Sequence, residues 1–317
     1  MKILFYFKNK ENLQSKNLAG IEALNLSLFR KIKKINSETY LVNSFDNNII
    51  KKKWDCVISS NSAKIFDIVD SKKNILWLHN KLQIEKAIRK KEFFPIIRNK
   101  ITAVFNSDYL KKNTTIFYNF KNKVIIPNFL TPEFLKKKRK YRRKPYFVWS
   151  VQRKKGLDNI INLWINKIHP YNKNCKFFIF GLQDSKTDQY ELKNLRKYNI
   201  FFKGRVSKSI LITYYLNSMG MICLGYDETF ALNVIEGFSC GLPMITFGYT
   251  AVGEIVNNRN SFILENYDNF NYTILNITNL NLIKRNKISN YCIQFSKNYN
   301  LDIMLHKWQK TIGLQIK

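Results

Sequence analysis

The sequence predicts an α/β protein built from two doubly wound domains, and three observations predict it. Short, near-continuous apolar runs alternate with amphipathic stretches of helical length along almost the whole chain, the pattern of parallel strands covered on both faces. The alternation occurs twice, on either side of the basic run KKKRKYRRK at 136–144. Finally, 317 residues, 45% of them apolar, are comfortable for two cores of ordinary size.

In the first series the predicted strands are 2–7, 39–43, 55–60, 74–79, 102–107 and 124–128. The clearest helix is 21–35, where Leu, Ile and Phe share a face. The second series predicts strands at 146–151, 176–181, 200–204, 220–225, 243–247 and 261–264. The expected domains are 1–135, a basic hinge at 136–145, a second domain at 146–299 and a closing helix at 300–317. Blocks of like charge are usually solvated, so the hinge reads first as a linker and second as a patch facing an anion.

Lys and Arg number 54 against 22 Asp and Glu, a formal charge of +32. That surplus suggests a phosphorylated ligand, an anionic membrane or nucleic acid. The joint richness in Lys, Asn and Ile reads as an AT-rich coding bias and dilutes the argument. Five cysteines, odd in number, scattered and never in a CxxC pair, read as reduced thiols of a cytosolic protein. The opening MKILFYFKNK reads as a strand rather than a signal peptide. No run approaches the roughly 20 apolar residues of a membrane span. The expectation is a cytoplasmic protein, soluble or peripheral on the inner face of the membrane.

The stretch DETFALNVIEGFSCGLP at 227–243 carries the chemistry. Ligands of open α/β sheets bind beyond the C-terminal ends of strands, and Glu228 falls just past the strand ending at Gly225. A helix is expected from Thr229 or Phe230 to Cys240, with Gly241 as its stop and Pro243 beyond. Its inward face would be Leu232, Ile235, Phe238 and Ser239. The start of that helix offers unpaired N–H groups and a positive dipole end, which suit phosphate. Glu228 and Glu236 lie about 12 Å apart along such an axis, and a carboxylate accepts paired hydrogen bonds from a vicinal diol. A ligand with a hydroxyl-rich group at each end of a diphosphate fits, and a nucleotide sugar has that form. The bland alternative is a surface acid and a solvated helix residue.

Glu228, Phe230, Leu232, Glu236, Gly241 and Pro243, followed by a loop at 247–256 containing Gly253 and Glu254, resemble the donor-binding motif of the retaining glycosyltransferases of family four. Ala231 departs from that motif, standing where glycine is usual. So does the loop, whose usual paired glycines are reduced to Val252-Gly253. The resemblance implies the GT-B fold, two Rossmann-like domains facing across a cleft, and transfer of a hexosyl group from a UDP- or GDP-sugar with retention of configuration. It implies no metal and no cofactor. By the same resemblance, Glu228 orients the donor sugar and Glu236 the ribose. Arg153 and Lys155, in WSVQRKKGLDNII at 149–161, neutralise the leaving diphosphate, with Lys154 a substitute for either. Phe230, Ala231 and Leu232 line the helix start, and Gly204, Arg205 and Val206 contact the base through the backbone. Gly20, in LAGIE, closes over the donor, and His79, in WLHN, stands near the sugar. A lone histidine is as often structural, and His169 and His306 have no such context.

The acceptor is expected to be a glycan or a lipid-linked molecule such as a lipopolysaccharide core or a glycolipid. Segment 81–144 holds 19 Lys or Arg against four Asp or Glu, and within it 81–100 carries Phe93, Phe94, Ile96 and Ile97. That combination suits an anionic membrane surface; a core-facing helix with a solvated basic side is the equal alternative. Two other classes stay open. One is a basic nucleic-acid binder, although no base-reading module is recognisable. The other is a GT-B protein that binds nucleotides without catalysis.

Overall fold

The structure is a computed structural model that describes residues 1–7, 20–44, 50–136, 143–151, 153–181, 189–225 and 227–315. The chain divides into two compact units, Met1–Thr131 with Tyr299–Lys317, and Pro132–Asn298.

The first unit contains β1 (Ile3–Tyr6), β2 (Thr39–Val42), β3 (Lys53–Trp54), β4 (Cys56–Ser60), β5 (Asp70–Ser71), β6 (Asn74–Leu78), β7 (Ile101–Phe105) and β8 (Asn122–Ile125). Six form one sheet in the order β2-β1-β4-β6-β7-β8, with every pair parallel. β3 and β5 form a separate two-residue parallel ladder, too short to leave a pattern in the sequence. Helix α1 (Gly20–Ile35) buries Leu24, Leu28 and Ile32, the spacing of one helical face. The C-terminal helix Leu301–Ile312 belongs to this unit and sets Trp308 edge-on against Trp77, with ring centroids 4.8 Å apart. The stretch 295–312 is not one helix. It breaks at 297–300, where the Asn300 side chain accepts the Asp302 N–H and caps a new start.

The basic stretch 81–100 is two short helices, α2 (Ile84–Arg89) and α3 (Phe93–Arg98), separated by a left-handed Lys91 (φ +56°). Between them Glu92 is buried and accepts from Ser62 Oγ and the Ala63 N–H at 2.7 and 2.6 Å. Ile96 faces the core, whereas Phe94 remains 65% and Ile97 50% exposed. Helix α4 (Asp108–Lys112) follows β7, capped by the Ser107 hydroxyl.

The second unit contains β9 (Tyr146–Trp149), β10 (Lys176–Phe180), β11 (Ile200–Gly204), β12 (Gly220–Ile222), β13 (Met244–Thr246) and β14 (Ser261–Ile263). They form a parallel sheet in the order β11-β10-β9-β12-β13-β14. Its helices are α5 (Pro132–Leu135), α6 (Leu157–Leu163), α7 (Gln189–Arg196), α8 (Lys208–Asn217), α9 (Leu232–Ser239), α10 (Phe270–Asn279) and α11 (Leu282–Ser296). The core is aromatic: Trp164 stacks on Phe177 at 5.0 Å and meets Phe147 edge-on.

Residues 137–142 of the predicted hinge lie outside the described residues, but Arg143 corrects the reading of a wholly solvated run. Its guanidinium is half-buried and donates to the carbonyls of Tyr215, Ser218, Cys240 and Gly241 and to Ser289 Oγ. The four carbonyls lie at the C-terminal ends of α8 and α9, where helix acceptors lack intrahelical partners. Burial lowers its pKa to about 10, still charged at neutral pH.

Candidate active site

The strand order of the second sheet reverses between β9 and β12, and ligands of open α/β sheets bind at such a switch point. The two loops leaving these strands touch. A Cβ on Gly225 would lie 3.0 Å from Lys155 Cβ and 3.1 Å from the Lys155 carbonyl, so any larger residue would press the two loops apart by a few tenths of an ångström. Gly156, at φ +100°, turns the first loop into α6. The contact sets Lys155 Nζ 2.8 Å from Glu228 Oε1 while it donates to the Asp227 carbonyl at 3.1 Å. Both charged side chains are mostly shielded, 16% and 11% exposed.

Helix α9 begins at Leu232, later than the sequence suggested, because Ala231 is left-handed (φ +57°, ψ +64°) and cannot continue a helix backwards. Glu228 and Phe230 therefore stand on the loop before it, and Phe230 is buried. Val234 to Phe238 are all buried, so the helix is sunk in the unit rather than half solvated. The following loop is tied to Glu228 by the Ala251 N–H donating to its carbonyl at 3.2 Å. In that loop the left-handed residues are Gly248 (φ +69°) and Thr250 (φ +62°), not Gly253. Gly253 is required for space instead, since a Cβ there would collide with the Gly248 carbonyl at 2.3 Å. A β-branched residue with φ > 0 is a genuine outlier, and the Thr250 hydroxyl is buried without a hydrogen-bond partner among the described residues.

Glu236 is buried, 9% exposed, which removes the solvated reading. Burial raises its pKa to about 7, with Lys208 pulling it down and Glu133 pushing it up. Beside it, the Tyr215 hydroxyl sits 2.8 Å from Ser150 Oγ, and burial raises that phenol well above its ordinary value. Ser150 leaves β9, and Asn233, in the first turn of α9, reaches it at 3.5 Å. Sequence reasoning passed over Ser150, Lys208, Tyr215, Asn233 and Thr250. Of these only Lys208, at the first position of a helix capped by Ser207, carried any signal.

The other expected residues divide. Arg153 lies in the same loop as Lys155, its Nε and Nη2 each 3.0 Å from Asp158 Oδ1; the side chain of Lys154 lies outside what is described. Gly204 (φ +61°) ends β11 at an irregular register, followed by an exposed Arg205 and a half-buried Val206. Gly20 and His79 belong to the first unit. Gly20 is the exposed first residue of α1. His79 follows β6, buried against Trp77 with ring centroids 4.5 Å apart, and burial lowers its pKa to about 3. Among the described residues no group of three or more His, Cys, Asp or Glu is placed to hold a metal ion.

Residues 131–295, the segment that carries this site, match the family described as glycosyl transferases group 1. Among solved structures, the chain is similar to sucrose-phosphate synthase from Thermosynechococcus elongatus, with 9% identity, TM-score 0.73 and 98% of each chain covered. It is similar to HepE of Anabaena in complex with UDP-glucose, with 14% identity, TM-score 0.71 and 99% of each chain covered. A TarM variant of S. aureus, in complex with fondaparinux, alpha-GlcNAc-glycerol and UDP, shares 16% identity at TM-score 0.65. That match covers 92% of this chain but only 59% of the TarM chain. No curated protein matches the sequence significantly. The structural likenesses are of fold: α/β, with parallel Rossmann-like sheets as in GT-B glycosyltransferases. With the matched segment spanning more than half its length, the chain belongs to the glycosyl transferases group 1 family.

Proposed function

We propose that the chain transfers a hexosyl group from a nucleoside-diphosphate sugar to an acceptor hydroxyl with retention at the anomeric carbon. The observation that carries this reading is the pair of carboxylates flanking the start of α9, Glu228 against Lys155 and Glu236 buried within the helix. In this reading Lys155 and the N–H groups at the start of α9 hold the diphosphate and take up its charge as the sugar leaves. Glu228 accepts from the sugar hydroxyls, and Glu236 accepts both hydrogens of the ribose diol. Arg153 exchanges Asp158 for phosphate. The chemistry needs no metal and no cofactor, because side-chain cations and the helix dipole supply the positive charge. UDP is the favoured nucleotide, since UDP or UDP-glucose is bound in the neighbouring structures.

The favoured acceptor is a lipid-linked glycan or glycolipid met at the inner face of the cytoplasmic membrane. Ile88, Phe94 and Ile97 are at least half exposed. Ile88 and Phe94 line an open groove of about 490 Å³ together with Lys64, Lys91, Arg98 and a single acid, Asp67. Phe93 links this patch to Tyr118 at 6.3 Å, next to the exposed Ile116 and Phe117. Apolar tips within a basic field suit an anionic lipid surface. Among the described residues no helix is long and apolar enough to cross a membrane.

A thermal-shift panel of UDP, GDP, ADP and CMP, with and without sugars, tests the donor site. Saturation at a hundred times the dissociation constant stabilises by about 2.7 kcal/mol. A shift with one nucleoside diphosphate that Glu236→Ala abolishes is the expected result. A folded sample that responds to none of them overturns the reading.

A further inference from the structure

Glu133, Lys208 and Glu236 sit on three different helices. Helix α5, which carries Glu133, packs against both α8 and α9. Lys208, the first residue of α8, holds Glu133 at 3.5 Å. Glu236 lies buried on α9, where the charge of Lys208 favours its ionised form and that of Glu133 opposes it. Helix α11, packed along α9, carries the exposed Lys284 and Lys287, Arg285, which donates to the Thr278 carbonyl, and the buried Cys292 thiol. Groups on the other elements around α9 have partners of their own. The Tyr215 hydroxyl from α8 bonds Ser150, and Arg143 is spent on the carbonyls that end α9. Cys240, one turn further along α9, is a buried thiol.

We propose that Lys208 is a positioning residue for the nucleotide site: it keeps the buried Glu236 carboxylate ionised, and Glu133 competes with Glu236 for its charge. The proposal rests on the donor-site reading above. An ionised carboxylate accepts both hydrogens of a vicinal diol, whereas a protonated one spends an oxygen on its own proton. Burial alone drives a carboxyl toward that neutral form, so a buried ribose ligand needs a cation nearby. Lys208 is 23% and Glu133 49% exposed. The cation therefore stands between a buried acid and a wetter one, and its allegiance sets the fraction of Glu236 able to bind.

UDP affinity measured by calorimetry from pH 5.5 to 9 tests this on the wild type and on Lys208→Met, Glu133→Gln and Glu236→Gln. The Glu236→Gln profile removes the ionisation of UDP itself. The wild-type affinity is expected to rise with pH through a midpoint near neutrality. Lys208→Met moves that midpoint up by about one unit, which weakens binding at pH 7 about fivefold, and Glu133→Gln moves it down. A merely structural Glu133–Lys208 tie, or a direct contact from Lys208 to the ligand, lowers affinity at all pH values with the midpoint unmoved, and either overturns the proposal. Carbon-13 titration of the Glu236 carboxyl without ligand separates the two readings. Opposite shifts in Lys208→Met and Glu133→Gln uphold the coupling even if UDP fails to bind, and unchanged titration overturns it even if UDP binds.

Discussion

The Lys155 ammonium lies 2.8 Å from Glu228 Oε1, which joins the loops of two strands that are neighbours in the sheet but far apart in sequence. Removing one member leaves the other charge poorly solvated, and breaking such a pair costs about 3–5 kcal/mol when fully buried and less here. Lys155→Met should therefore lower the urea midpoint more than Lys155→Met with Glu228→Gln does. Either single change should lower kcat by about a hundredfold or more, the scale of losing one charge-stabilising group.

Ala231 holds a left-handed backbone that a glycine adopts without strain. Ala231→Gly should stabilise by about 1 kcal/mol, a rise of about 2–4 °C in Tm. Removing the methyl group beside the start of α9 should also tighten nucleoside-diphosphate binding. A thermal scan with and without UDP reads both effects, and a fall in Tm would contradict the strain argument.

Glu236 carries a linkage of definite sign. Its pKa is about 7 in the folded protein against an ordinary 4.5, so between those values the folded state binds the extra proton. Stability falls as pH rises through that window and then levels off. Glu236→Gln should raise Tm at pH 8, leave it nearly unchanged at pH 4.5, and weaken nucleotide binding without abolishing it, since the amide keeps one acceptor oxygen. Tm profiles of the two proteins across this range provide the check.

His79 has the opposite slope. Burial holds it neutral down to about pH 3 against an ordinary 6.5, so the unfolded chain takes up the proton first. Stability is lost as pH falls from 6.5 toward 3. His79→Leu should flatten the acid limb of the Tm profile relative to wild type. If the limb is unchanged, the ring is not held neutral in the fold.

Arg143 closes the C-terminal ends of α8 and α9 with a guanidinium fork that lysine cannot reproduce. Both Arg143→Lys and Arg143→Met should cost about 2–5 kcal/mol by leaving buried carbonyls unpaired. Urea melts of the two variants should agree within about 1 kcal/mol. A fully active, wild-type-stable lysine variant would show that charge alone suffices.

The strands were legible because fully buried parallel strands must be apolar on both faces, and runs such as KFFIF and YFVW say so locally. The chemistry around Glu228 was legible only as a spacing. That Glu236 is buried could not be read from one carboxylate in a helix, since burial is decided by the helices packed against α9, α5 and α11 among them. The helix start moved because the left-handed turn at Ala231 reflects the loop packed beside Glu228 rather than any local preference for that conformation. Arg143 was hidden among seven neighbours of the same charge, and only tertiary contact distinguishes the one that turns inward.

The switch-point geometry also fixes the order in which the site comes apart. β9 and β12 are the two innermost strands of their sheet, whereas β11, which ends at Gly204, is an edge. Edge elements open at lower free energy than central ones. On warming, the contacts expected to recognise the base around Gly204 to Val206 should loosen while Lys155 and Glu228 stay clamped. The chain would then lose its choice of nucleobase before it loses its grip on the sugar. Amide hydrogen exchange that is faster in 200–206 than in 147–149 and 220–222 would record that sequence of events, and uniform exchange would refute it.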